Sequence, residues 1–156
     1  MRKYDEGNVV KNTWGDGLYL VFKTVRDAGC CALEMREMVQ STDWKAKGLP
    51  RDLALRIALH AGPVFGGIDP VTGQMNYTGS HVSRAARLEP KTPPGEVYAS
   101  EAFAALVAVD QIDPETEFAC EYIKQLEWAK HYGTFPTYVV RKGAKLDFQK
   151  RPGRHR

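Results

Sequence analysis

Hydrophobic and polar positions change period several times along the chain, and each change marks an element. Val9-Val10 and Leu18-Tyr19-Leu20-Val21-Phe22 are apolar, β-prone runs on either side of Asn12-Thr13-Trp14-Gly15-Asp16-Gly17. The pattern predicts a hairpin with Asp16 at its tip, the glycines supplying backbone angles that other residues resist. After Lys23 the period lengthens. Val25, Ala28, Ala32, Met35 and Val39 recur at steps of three and four, which predicts an amphipathic helix of about four turns ending near Thr42-Asp43. Leu53, Leu55, Ile57 and Leu59 then alternate with Ala54, Arg56, Ala58 and His60, the signature of a strand over 53–59. Ala61-Gly62-Pro63 breaks it. Val64-Phe65 starts a short return strand that Gly66-Gly67 ends, and Asp69-Pro70-Val71-Thr72-Gly73 is a loop.

In the second half, Asn76-Tyr77-Thr78-Gly79 leads into a helix from Ser80 to about Glu89, stopped by Pro90. Val82, Ala85 and Ala86 mark its buried side, while Ser83 and Arg87, four apart, share another face. Pro93-Pro94-Gly95 turns into a strand, Glu96-Val97-Tyr98-Ala99. Ser100 caps a further helix carrying Phe103, Leu106 and Val107. Phe118 to Ile123 and Tyr138-Val139-Val140 read as the last strands, with Lys130-His131-Tyr132-Gly133 as a loop between them. Helices and strands are mixed and the strands pair through hairpins, so the fold class is α+β.

Bulk properties narrow this picture. A chain of 156 residues, 43% hydrophobic and 26% charged, suits one globular domain with a substantial core. No apolar run reaches bilayer-spanning length, and Met1-Arg2-Lys3-Tyr4-Asp5-Glu6 lacks the apolar stretch of a signal peptide. Cys30, Cys31 and Cys120 form neither a disulfide framework nor a zinc knuckle, and read as reduced apolar fillers of a cytoplasmic protein. The net charge of +3 is uneven. Residues 141 to 156 hold seven Lys/Arg and one Asp, or +6, which leaves −3 for the rest. That excess belongs to a basic tail with too few apolar residues to fold. It has no interleaved aromatics, and the body has no basic stripe, which argues against a nucleic-acid partner.

Candidate chemistry is sparse when each residue is taken alone. Asp16 is an acceptor-only carboxylate fixed at a turn, suited to a hard cation, but Asp is also a common turn former. Arg87 offers forked donors for phosphate. Lys130 is a single loop lysine. His60, at a strand end with no second histidine at ligand spacing, reads as structural. The Gly62 to Gly67 stretch lacks the Gly-Lys-Ser/Thr ending of a phosphate loop.

Taken in order, four stretches resemble the class III adenylate/guanylate cyclase catalytic domain: NTWGDGLYLVF, LRIALHAGPVFGG, YTGSHVSRAARLEPKTPPGEVYAS and AKHYGTFPTYVV. The resemblance runs from about Val9 to Val140. It implies a ferredoxin-like, mostly antiparallel sheet with packed helices, lacking the family's first strand and first helices. It also implies a cyclase-like domain over 1–142 followed by the tail at 143–156. The implied activity is conversion of ATP or GTP to a 3′,5′-cyclic nucleotide and pyrophosphate in cyclic-nucleotide signalling. The implied cofactors are two Mg²⁺ or Mn²⁺ ions, and the implied assembly is a homodimer, or a heterodimer with another cyclase-type domain. Residue by residue, Asp16 falls on the family's second metal aspartate and Arg87 on the arginine that stabilises the transition state. Lys130 falls on the lysine that contacts the triphosphate, eight residues before Tyr138.

The sequence also departs from that pattern. The first metal aspartate, in a Phe-x-Asp-Ile-x-Gly-Phe element, has no match in the fifteen residues before Asp16. Asn12 and Asn76 occupy the base-reading positions, where amides do not choose between adenine and guanine. Ser83 replaces the asparagine that orients the ribose. The resemblance therefore implies either an incomplete cyclase domain or a non-catalytic cyclase-like regulatory or dimerisation module.

Overall fold

The computed structural model describes residues 9–146, excluding the side chains of 9–12 and 14. Strands β1 (Val9–Trp14) and β2 (Gly17–Phe22) pair antiparallel, with Trp14 opposite Gly17, so the connection is the two-residue turn Gly15-Asp16. Gly15 sits at φ 62°, the left-handed region that glycine enters without a Cβ penalty. Helix α1 follows over Val25–Ser41. The Thr24 side chain caps it by accepting the Asp27 N–H, and it ends at Thr42, as the periodicity predicts.

The central sheet has the order β3-β6-β8-β7, from Ile57–Leu59, Val97–Ser100, Gly133–Lys142 and Phe118–Trp128. Only β3 and β6 run parallel; the other neighbours are antiparallel. A separate hairpin joins β4 (Phe65–Ile68) to β5 (Met75–Thr78). Helix α2 (Ser80–Leu88) leaves β5, and α3 (Glu101–Val109) leaves β6 with Ser100 Oγ accepting the Phe103 N–H at 3.3 Å. The α+β class and the mixed, mostly antiparallel strand pairing agree with the sequence reading.

Several boundaries differ from the pattern, each for a physical reason. The strand expected over 53–59 is regular only at Ile57–Leu59. Its partner β6 begins at Val97, and the preceding Pro93-Pro94-Gly95 turn gives 53–56 one bond, from the Gly95 N–H to the Leu55 carbonyl at 2.7 Å, because the two prolines have no N–H to continue it. Gly66 and Gly67 do not end the return strand; they pair with Tyr77 and Asn76 inside β4. Pro90 lies in the first turn of a 3-10 segment, Glu89–Lys91, where a missing N–H leaves nothing unpaired. Strand β7 runs past Ile123 to Trp128 because a bulge between Tyr122 and Lys124 restores its register with β8. Leu106, expected inward on α3, is 42% exposed.

The core lies where α1 and α3 cover one face of the central sheet. Leu33, Val97, Phe103, Phe118 and Val140 are its most buried members. Cys30 and Cys31 are buried within α1, and burial pushes the Cys120 thiol up to about 11, so it stays protonated. None of the three forms a disulfide. Helix α1 lies against both β2 and β3, although these two strands do not hydrogen-bond to each other. Among the described residues, the hairpin sheet and the central sheet are thus joined through a helix and not through a ladder.

The approach of α1 to the sheet depends on Gly29. A Cβ there would lie 2.3 Å from Phe118 Cζ, and the Phe118 ring is fully buried. Gly29→Ala is therefore expected to destabilise the fold by ~1–3 kcal/mol, the usual cost of overpacking. Urea denaturation measures this. Adding Phe118→Leu should recover part of the loss, and a Gly29→Ala midpoint equal to wild type would contradict the close approach.

Candidate functional site

The sequence-predicted site residues fall into two groups. The first gathers at the end of the β7–β8 hairpin. A 3-10 turn at Ala129–His131 carries Lys130 and His131 in left-handed conformations, φ 58° and 52°, and Lys130 is exposed. Three aromatic rings sit beneath this turn. Trp128 is 2% exposed; its indole N–H donates to Thr137 Oγ1 at 3.2 Å, and the Thr137 hydroxyl donates to the Phe135 carbonyl at 3.1 Å. Tyr132 stacks nearly parallel on Trp128 at 6.4 Å between centroids, and Phe135 packs on Trp128 at 4.7 Å.

Helix α2 lies against this turn and presents two arginines to the rings. Arg87 Cζ is 6.0 Å from the centre of the Tyr132 ring, and Arg84 Cζ is 5.6 Å from that of Phe135. Among the described residues no carboxylate pairs with Arg87 or Lys130. Ser83 is exposed one turn before Arg87. The structure thus brings Ser83, Arg87 and Lys130 to one end of the domain as a cationic, hydrogen-bonding surface, a setting suited to phosphate.

The second group lies by the β1–β2 hairpin. Asp16 is exposed at its tip and forms no hydrogen bond or ion pair with Arg87 or Lys130. Asn76, half-buried in β5, accepts the Tyr77 N–H on its side-chain oxygen at 2.9 Å, which leaves its NH₂ donors for a partner. Strand β5 adjoins β1, which carries Asn12; the Asn12 side chain is outside the described residues. Among the described residues no three His, Cys, Asp or Glu side chains gather to hold a metal ion. One exposed carboxylate does not fit a pair of hard cations, which take six or more oxygen ligands each.

Sequence reasoning missed His81 and Arg84. His60 Nε2 lies 2.8 Å from His81 Nδ1, with ring planes within 16°, and His60 Nδ1 lies 2.7 Å from Ser100 Oγ. The chain therefore ties the end of β3, the first turn of α2 and the cap of α3 through one imidazole. Gly62 makes room for it, since a Cβ there would lie 2.2 Å from His81 Nδ1. Beside this pair, Arg84, Ser100, Glu101, Trp128 and Phe135 help line a cavity of about 350 Å³. The signals present in the sequence were the three-residue spacing of Arg84 and Arg87 and the aromatics on both sides of the Lys130 loop.

Comparison with known proteins places this geometry. Residues 4–142 match the model of the adenylate and guanylate cyclase catalytic domain. An adenylate cyclase of Schizosaccharomyces pombe is 28% identical over 127 residues, covering 70% of this chain. The chain spans only 7% of that relative's length. Among solved structures, the guanylate cyclase domain of RhGC from Catenaria anguillulae in complex with GTP superposes with a TM-score of 0.68 at 25% identity, over 86% of this chain and 73% of that one. The adenylyl cyclase CyaB from P. aeruginosa gives 0.67 at 19% identity, over 86% and 72%, and shares the fold. The fold is that of a class III cyclase domain. This chain belongs to the adenylate and guanylate cyclase catalytic domain family. No helix among the described residues is long and apolar enough to cross a membrane.

The His60–His81 contact has a measurable consequence. Burial first, then the charges of His81 and Arg84, hold His60 down to about 4 from an ordinary 6.5. The unfolded chain therefore binds a proton at His60 that the folded chain rejects between these values. The stabilisation is present above pH 6.5 and is lost as pH falls toward 4, by ~1–2 kcal/mol once solvent screening of the half-buried ring is allowed for. Urea midpoints at pH 7 and pH 4.5 should differ more for wild type than for His60→Gln. Equal pH dependence in the two proteins would rule the buried neutral imidazole out.

Proposed function

We propose that this chain is the phosphate-handling part of a class III nucleotide cyclase site, forming cAMP or cGMP from ATP or GTP once a second cyclase-type domain completes it. The observation that carries this reading is the placement of Arg87 and Lys130 on packed elements, α2 and the turn at its side, without carboxylate partners among the described residues, Asp16 at the hairpin tip included. A cation pair left unneutralised at a surface suits a polyanion. The crystallised Catenaria relative is in complex with GTP, which supports a nucleoside triphosphate as that polyanion.

In this reading the 3′-hydroxyl attacks the α-phosphorus and pyrophosphate leaves. Negative charge grows on the phosphoryl oxygens and on the bridging oxygen of the leaving group. Arg87 donates its N–H fork to the former, and the Lys130 ammonium offsets charge on the triphosphate. Ser83 takes the ribose-side position on α2 and reaches the sugar through a bridging water, its side chain being short. Asn76 offers amide donors to the base, with Asn12 as its counterpart on β1. In cyclases Mg²⁺ or Mn²⁺ supplies Lewis-acid activation; Asp16 offers one ligand toward such an ion, and the described residues do not complete the set.

That incompleteness favours a second reading: a non-catalytic partner module that lends Arg87 and Lys130 to a site whose carboxylates come from another chain. Incubating the purified chain with ATP or GTP and Mn²⁺, alone and mixed with a complete cyclase subunit, separates the two. Turnover by the chain alone removes the second reading. Stimulation only in the mixture supports it, and no cyclic nucleotide in any mixture contradicts both. Where turnover is seen, Arg87→Ala should lower kcat by ~10²-fold or more with a smaller change in KM, because its partner charge grows along the reaction. Equal losses in kcat and in nucleotide affinity would contradict that role. Where the chain turns over alone, Asp16→Asn should remove that Mn²⁺-dependent turnover.

A further inference from the structure

Arg87 belongs to a side-chain arrangement that the resemblance does not account for. Its guanidinium is seated on the ring of Tyr132 at 6.0 Å, and that ring cannot drift easily. It is stacked on Trp128, which is buried and hydrogen-bonded to the fully buried Thr137. The backbone reaches Tyr132 through two successive left-handed residues, Lys130 and His131, and the exposed His131 has its Nδ1 2.9 Å from Glu127 Oε1. The ring is thus set from the core outward, and the arginine is set on the ring.

The geometry points to Tyr132 as a positioning residue for Arg87. A guanidinium is planar, and all five of its N–H donors lie in that plane. A carboxylate partner would fill the donor edge that phosphate needs. An aromatic face holds the cation through its quadrupole and leaves that edge open. Tyr132 therefore restrains the arginine without competing for its hydrogen bonds. The phenolic hydroxyl has no part in this, so the ring alone carries the effect. Arg84 on Phe135 repeats the device one turn earlier on α2. Pre-orienting a long side chain in this way removes part of the ordering cost when the anion binds. The inference rests on the proposed reading of Arg87 as a phosphate ligand.

The test uses inorganic tripolyphosphate, whose binding does not require turnover. Calorimetric titration of wild type, Tyr132→Phe, Tyr132→Leu, Arg87→Ala and the Tyr132→Leu/Arg87→Ala double variant gives the coupling directly. Tyr132→Phe should bind within twofold of wild type. Tyr132→Leu should bind about three- to tenfold more weakly, the range expected for a partly exposed cation–ring contact. The double variant should bind no more weakly than Arg87→Ala alone. Losses that multiply in the double variant, equal losses in the Phe and Leu variants, wild-type affinity in Tyr132→Leu, or no binding by wild type would each overturn the inference. If the affinities follow the expected order while no mixture yields a cyclic nucleotide, the proposed function falls and the seating of Arg87 stands.

Discussion

The indole of Trp128, buried and held to Thr137 by a hydrogen bond, is the constraint on which the arginine- and lysine-bearing end of the domain depends. It lies at the last residue of β7, opposite Gly133 at the start of β8, so it fixes where the long hairpin turns. Two further rings build on it, and two arginines of α2 build on those rings. A loop lysine and a helix arginine would otherwise be long, mobile cations with large rotamer entropy. Here one aromatic anchor sets the backbone that carries Lys130 and the ring that seats Arg87. The hydrogen bond matters because an indole N–H buried without a partner carries a desolvation cost that would oppose the same packing.

A different logic governs the carboxylate end. The hairpin that carries Asp16 belongs to its own two-stranded sheet and is linked to the central sheet through α1. Opposite charges on the two ends do not pair with each other among the described residues. Within a single chain that arrangement leaves the cationic surface and the hairpin carboxylate each open to something outside it. That openness is the physical basis of the proposal that the chain contributes to a shared site.

Between these ends, the His60–His81 pair holds α2 in place. It connects the end of β3 to the first turn of α2 and, through Ser100, to the cap of α3. Ser83, Arg84 and Arg87 follow on the same helix; His81, Arg84 and Arg87 recur every three residues, so the imidazole pair and the aromatic cluster hold successive turns of one face of α2. Gly62 is required by this contact for lack of space, independently of any special backbone angle.

The sequence by itself determined the local elements whose signals are short-range. These were the Gly15-Asp16 turn, helix α1 from its three- and four-residue steps, the Ser100 cap, the α+β class, and the ordered motifs that pointed to the cyclase family. Strand ends were legible only where the partner was also legible. Residues 53–56 alternate correctly yet gain one backbone bond, at Leu55, instead of a continuous ladder, and β7 extends because β8 continues to pair with it across a bulge. Tertiary structure alone decided that Arg87 is seated on Tyr132 and that His60 finds its partner 21 residues away in His81. Those facts depend on which elements pack together. Burial and ring contacts between residues distant in sequence leave no periodic trace in the order of amino acids.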